Sequence, residues 1–185
     1  MDGLVEIRSF LESDPNAIVT LILENYVTGE ALIAAFEEAG MASLLHTQKK
    51  NRSWPSLGAM QRSGKRLVVL TEKGKGEAPW LLPLWEWCWD THWSAKTLED
   101  FTSKPHRGAV DHDLFILNHF LTNPLASQAL ARQANAPSVL ARHLLDCHGE
   151  HGRWPSFLTV DFEDEGAAHD IAASLNRGAG VDSFL

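Results

Sequence analysis

At 185 residues, with 44% hydrophobic and 22% charged residues, the chain has the composition of an ordinary folded domain, long enough to bury one sizeable core. A formal net charge of −8, with no Lys/Arg stripe, argues against nonspecific nucleic-acid binding. No apolar stretch reaches the roughly 20 residues of a membrane span and the first residues form no signal peptide, while Cys88 and Cys147 are too few for a disulfide scaffold and leave the compartment open.

Leu4, Ile7, Phe10 and Leu11 stand at helical spacing, and the pattern predicts a helix from Leu4 to Glu12 that stops at Asp14-Pro15. Ala17 to Val27 is a nearly continuous apolar run broken by Glu24 and Asn25. A run so rich in β-branched residues reads as a strand covered on both faces, as parallel sheets contain, and the polar groups at its carboxyl end occupy the position where α/β proteins put chemistry. Helical patterns follow over Gly29 to Leu45 and Leu57 to Gln61, then a second buried run over Lys65 to Glu72. Leu81 to Asp90 is a weaker strand candidate in which Trp85, Trp87 and Trp89 alternate at period two, a spacing that puts three indoles on one strand face. Asp113 to Phe120 and Ser156 to Asp164 are further strands, separated by a helix over Pro137 to His148 and followed by one over Gly166 to Leu175. Alternation of strands and helices predicts an α/β fold with a parallel sheet, in one domain over residues 1–185. Cys147, His148 and His151 have Zn²⁺-ligand chemistry, but they lie at a helix C-terminus, remote from the strand ends, where basic groups are favoured by the helix dipole.

An eight-stranded α/β barrel typically needs about 250 residues. Four firm strands, one weak strand and an initial helix therefore leave two readings: a smaller open sheet, or the later part of a barrel.

Val5 to Phe10, Ile18 to Tyr26, Trp54-Pro-Ser-Leu57 leading into Lys65 to Thr71, Leu114 to Phe120, and Arg153 to Phe162 fall in order over nearly the whole chain. Together they resemble the X domain of phosphatidylinositol-specific phospholipase C. The resemblance implies a partial TIM barrel comprising strands four to eight, with the first three strands, and the two catalytic histidines they carry in that family, outside this sequence. It further implies a phosphoric diester hydrolase acting on phosphatidylinositol or a related phosphodiester, with peripheral membrane contact and a secreted or surface-associated location. In that chemistry the inositol 2-hydroxyl attacks the phosphodiester, one histidine serving as general base and the other as general acid.

By the same resemblance, Glu24 occupies a metal-ligand position, and Glu24 with Asn25 suits Ca²⁺, which prefers carboxylate and amide oxygens. Asp161 matches the aspartate that orients the general-base histidine. Lys73 is the one residue of Thr71-Glu72-Lys73 able to supply the positive charge expected near the substrate phosphate. Asp90 and Trp93, with His92, are candidates for contact with the inositol ring or the lipid interface, where the amphipathic indole is favoured. Asn118, at the end of its strand, is expected to line the pocket, and His119 to alternate away from it. Without the two histidines, the alternative function is a noncatalytic module that binds an inositol or phospholipid headgroup through the Trp-rich segment.

Overall fold

The computed structural model describes residues 2–24, 26–73 and 77–185. The fold is α/β, as expected, and divides into two compact units, residues 1–87 and 88–185.

The first unit opens with α1 (Asp2–Ser13), which ends before Pro15. Its carboxyl end is capped from a distance. The guanidinium of Arg66 is buried and donates to the carbonyls of Leu11 (2.7 Å), Asp14 (2.8 Å) and Ala17 (2.9 Å), satisfying acceptors that a helix end leaves open. Strands β1 (Val19–Leu23), β2 (Leu67–Thr71) and β3 (Leu81–Pro83) form a parallel sheet in that order, with Val19 opposite Leu67 and Val69 opposite Leu81. The central strand β2 is buried throughout, which explains its uninterrupted apolar run. Helix α2 (Gly29–Glu38) starts on the Thr28 side chain, and α3 (Leu57–Ser63) on that of Ser56. The helix expected over Gly29 to Leu45 is shorter than its pattern, because Gly40 turns the chain at φ 69°. Leu44 and Leu45 then serve the sheet edge instead: Leu45 bridges to Leu67. Leu11, Phe36, Met41, Leu67, Val69 and Leu81 pack as the core, each fully buried apolar side chain contributing about 1.5–3 kcal/mol.

Leu81 to Asp90 is not one strand. Pro83 ends β3, having no N–H to donate to a ladder, and α4 (Leu84–Trp87) makes a single helical turn before β4 (Cys88–Thr91). A helical turn rotates successive side chains by about 100°, so the three indoles do not share a face. Trp87 packs edge-on against Trp54 at 5.6 Å, while Trp89 stacks on Phe115 at 3.9 Å.

In the second unit, β5 (Pro105–Arg107), β4, β6 (Leu114–Asn118) and β7 (Phe157–Thr159) form a sheet in the order β5-β4-β6-β7. The β4–β6 and β6–β7 pairs are parallel; β5 runs antiparallel along β4. Three helices, α5 (Gln128–Ala134), α6 (Pro137–His151) and α7 (Ala168–Asn176), accompany it. Trp89, Phe115, Leu117, Leu140, Leu144 and Ile171 lead its core. Gly108 (φ 73°) lies so close to β4 that a Cβ there would stand 2.1 Å from the Cys88 carbonyl oxygen, which explains a glycine after β5. Strand pairing closes no barrel among the described residues, and no described helix is long and apolar enough to cross a membrane.

Candidate functional site

Because β4, β6 and β7 are parallel, their carboxyl ends gather Asp90, Thr91, Asn118 and Thr159 at one edge of the sheet. Asp90 is fully buried. Its Oδ1 accepts from the Arg107 backbone N–H (2.9 Å), and its Oδ2 from Arg107 Nε (3.0 Å), Arg107 Nη2 (2.5 Å) and Asn118 Nδ2 (3.1 Å). Asn118, also buried, donates to the Thr91 carbonyl (2.7 Å) and accepts from Thr159 Oγ1 (2.9 Å). Two candidates, Asp90 and Asn118, thus meet in one network, with bonds directed inward. Arg107 and Thr159 complete it; neither stood out in the sequence, since a buried carboxylate names no partner from sequence alone.

Above the buried network lies an open cavity of about 440 Å³ lined by His92, Ser94, Lys96, Asp100, Lys104 and His106, among others. His106 Nδ1 is 3.8 Å from Asp90 Oδ1, and the His92 and His106 rings lie 4.4 Å apart. Trp93 is half exposed beside them, its ring parallel to His92 at 6.0 Å.

Asp161 lies two residues beyond β7, partly buried, and its carboxylate accepts no hydrogen bond among the described residues; desolvation holds its pKa above the usual carboxylate value. The next residue, Phe162, has φ 48°, a conformation that costs a non-glycine residue about 1–3 kcal/mol and persists only when its surroundings enforce it. Asn135 does the enforcing. Fully buried at the end of α5, it donates from Nδ2 to the carbonyls of Asp161 (3.0 Å) and Glu165 (3.0 Å), while its own carbonyl accepts from the Ala167 N–H (2.9 Å). Gly166 follows because a Cβ there would stand 2.3 Å from the Asn135 carbonyl oxygen. Replacing Asn135 by alanine is expected to lower stability by about 2 kcal/mol, since two partly buried carbonyls lose their donor, and to speed amide exchange at Glu165; unchanged exchange there would contradict this role.

The first unit assembles a second, smaller group. Glu24, exposed one residue past β1, accepts from Tyr26 Oη (2.7 Å), and Lys73 Nζ sits 4.6 Å above the Tyr26 ring. The nearby carboxylates, Glu24 first, raise the Tyr26 pKa. Glu24 and Lys73 are therefore joined through Tyr26, which the sequence reading did not single out; Asn25 lies outside the described residues.

His119, expected to point away from Asn118, is fully buried and faces His143, Nδ1 to Nδ1 at 2.8 Å. His119 Nε2 donates to the Ala134 carbonyl (2.8 Å), and His143 Nε2 lies 3.3 Å from that of Thr102. Both rings stack on Phe101. Cys147 and Cys88 are free and buried, and burial pushes both thiols up to about 12. His148 stacks on Trp154 and His151 bonds the Ser103 carbonyl, so the Cys147 to His151 segment serves packing.

Comparison with known proteins gives one family. The PI-PLC X family model (PI-PLC X 1) matches residues 1–176. A PI-PLC X domain-containing protein of Arabidopsis thaliana is 28% identical over 189 residues, covering 94% of this chain and 43% of that protein. PI-PLC X domain-containing protein 1 of Arthroderma benhamiae is 28% identical over 197 residues, covering 94% of this chain and 63% of that protein. The chain thus spans about half the length of these curated relatives. No solved structure matches it.

Proposed function

The chain belongs to the PI-PLC X domain family, and from that premise we propose that it is part of a phosphoric diester hydrolase of the phosphatidylinositol-specific phospholipase C type, comprising strands four to eight of its TIM barrel. One observation carries the reading: the partly desolvated carboxylate of Asp161 beyond the last strand, without a hydrogen-bond partner among the described residues and held by a strained loop that Asn135 fixes. In this reading Asp161 accepts the N–H of a general-base histidine carried outside this sequence, fixing its tautomer and stabilising its imidazolium. The base removes the proton of the attacking hydroxyl; a second histidine returns a proton to the leaving oxygen. The Asp90–Arg107–Asn118 network supplies charge and shape for the headgroup. Membrane contact fits the exposed Trp93, Leu125 and Phe162, which follow β4, β6 and β7.

Calcium, implied at Glu24 and Asn25, needs about six to eight oxygen ligands. Among the described residues no group of three or more His, Cys, Asp or Glu side chains assembles that could hold a metal ion, and one Glu24 oxygen is engaged by Tyr26. The described residues do not fit a calcium site, and no step runs through the ion.

Hydrolysis of phosphatidylinositol by the full-length protein tests the proposal. Asp161→Asn is expected to lower kcat about 10²-fold, the low end of what a positioned base contributes, with the urea midpoint little changed. A wild-type rate would remove Asp161 from the mechanism. The second reading, a headgroup-binding module, is favoured by the open cavity beside Trp93 and predicts vesicle binding without turnover.

A further inference from the structure

We propose that residues 96–104, between β4 and β5, form a strap that the buried His119–His143 pair latches shut, and that acidification releases it while the sheet stays folded. The strap pairs with no strand among the described residues. Its single turn of 3₁₀ helix (Leu98–Asp100) is closed internally: Asp100 Oδ2 accepts from the backbone N–H groups of Lys96 and Thr97 (2.9 Å each). Its apolar residues, Leu98 and Phe101, pack with Ala95, Leu121, Leu130 and Ala134 in a small cluster apart from the core that Trp89 leads. A segment packed on a satellite cluster opens without the rest of its domain.

Histidines supply the latch. Phe101 stacks on both rings of the pair, 4.2 Å from His119 and 4.9 Å from His143, and the Thr102 carbonyl stands 3.3 Å from His143 Nε2. Next along the strap, the Ser103 carbonyl accepts from His151 Nε2 (2.7 Å), and the Ser103 hydroxyl bonds Glu150. An imidazole donates from Nε2 when charged as well as in one neutral tautomer, so the Ser103 tie survives acid and serves as the hinge. Around the pair, α6 contributes Arg142 and Asp146, which share a surface cavity with His143 and Phe101; Asp146 favours the charged form of His143, but burial outweighs it. From α5 comes Arg132, which is bonded to Glu165, and from the strap Asp100, engaged as above, while Lys96, Glu99 and Lys104 are exposed.

Closure keeps both rings out of water. Desolvation holds the His119 pKa down at about 4 and lowers that of His143, whereas rings uncovered by an open strap titrate at about 6.5. Between pH 4 and 6.5 the open form therefore binds more protons, and closure weakens as pH falls through that window. Above it the pair adds no pH dependence. From His119 alone, the opening equilibrium rises about 70-fold between pH 7.5 and pH 4.5. Asp100, Thr102 and Lys104 also wall the cavity beside His92 and His106, so release of the strap widens that cavity. The device does not depend on what the cavity binds.

Native-state hydrogen exchange of the whole protein, with no substrate and no turnover, tests this. The Asp100 and Phe101 amides, bonded within the strap to the Thr97 and Leu98 carbonyls, report its opening, because one detached turn does not persist in water. The Leu117 amide in β6 reports global unfolding. Asp100 and Phe101 are expected to exchange faster than Leu117 and with a smaller urea slope, their protection factors falling about 70-fold from pH 7.5 to pH 4.5. In His119→Leu/His143→Leu that fall is lost. Urea slopes equal to that of Leu117 would mean that the strap opens only with the whole protein, and protection independent of pH would mean that the pair is no latch. Either result, or a fall that survives in the double variant, overturns the proposal. The first two are read on wild type, so a variant that failed to fold would not change the outcome.

Discussion

Replacing Asp90 by alanine is expected to lower the unfolding free energy by about 3 kcal/mol, toward the low end of what losing one partner of a buried ion pair costs. The carboxylate is fully buried and accepts hydrogen bonds from the Arg107 backbone N–H and guanidinium and from Asn118. Alanine leaves the guanidinium without its counter-ion and the Asn118 amide without one acceptor. The figure stays at the low end because the Arg107 side chain is 36% exposed, so water recovers part of its charge. Asp90→Asn is expected to fail almost as badly, since the new amide presents donors to the Arg107 donors or keeps a single acceptor oxygen. Removing both charges together, as Asp90→Leu/Arg107→Met, is expected to recover much of the loss, because a matched apolar pair strands no charge. Urea midpoints of the three variants check this, and a single Asp90→Ala variant within 1 kcal/mol of wild type would show that the network contributes little.

Acidification from pH 6.5 to pH 4 is expected to destabilise the protein through the buried His119–His143 pair. Two neutral imidazoles carry two N–H protons, whereas their three close polar contacts call for three. With His119 Nε2–H on the Ala134 carbonyl, its Nδ1 must accept from His143 Nδ1–H. His143 Nε2 then faces the Thr102 carbonyl without a proton, and that is the longest of the three contacts. A third proton would complete the bonds but place a charge where there is little solvent. Desolvation prevails. It lowers the His119 pKa to about 4 and lowers that of His143 as well.

Both folded values lie below the unfolded value near 6.5, so between pH 4 and 6.5 the unfolded chain binds more protons and stability falls as pH falls. From His119 alone the full loss amounts to about 3 kcal/mol, complete near pH 4, with no contribution above pH 6.5. Urea midpoints measured across this range, for wild type and for His119→Leu/His143→Leu, isolate the pair. Parallel pH profiles for the two proteins would refute the account.

Much of the backbone was legible in the sequence, because burial leaves a mark on residue order. The run Leu67 to Thr71 is apolar since both faces of β2 are covered, and Ser56 and Thr28 start helices as short hydroxyl side chains should. The parallel arrangement followed from strand–helix alternation. Two elements left no such mark. Strand β5 is the polar Pro105-His106-Arg107, held to β4 by pairing and by the Arg107 bonds to Asp90, and α5 is an alanine-rich segment of seven residues with little apolar contrast between its faces. The tryptophan alternation pointed the wrong way because period two assumes a strand, whereas Pro83 ends the ladder and one helical turn intervenes.

By itself the sequence determined the α/β class, the ordered motifs that mark the PI-PLC X family, and the polar residues at strand ends, including Glu24, Asp90, Asn118 and Asp161. Tertiary structure decided which of these share a network and which way they face. Asp90 and Asn118 are 28 residues apart in sequence yet bonded, through Arg107 and Thr159 as well, while Asp161 keeps a partly desolvated carboxylate on a loop that Asn135 pins from another helix. Such pairings depend on strand register and on helix placement over the sheet. Neither is encoded in the local pattern of side chains, since a buried carboxylate reads the same in sequence whichever distant donor satisfies it.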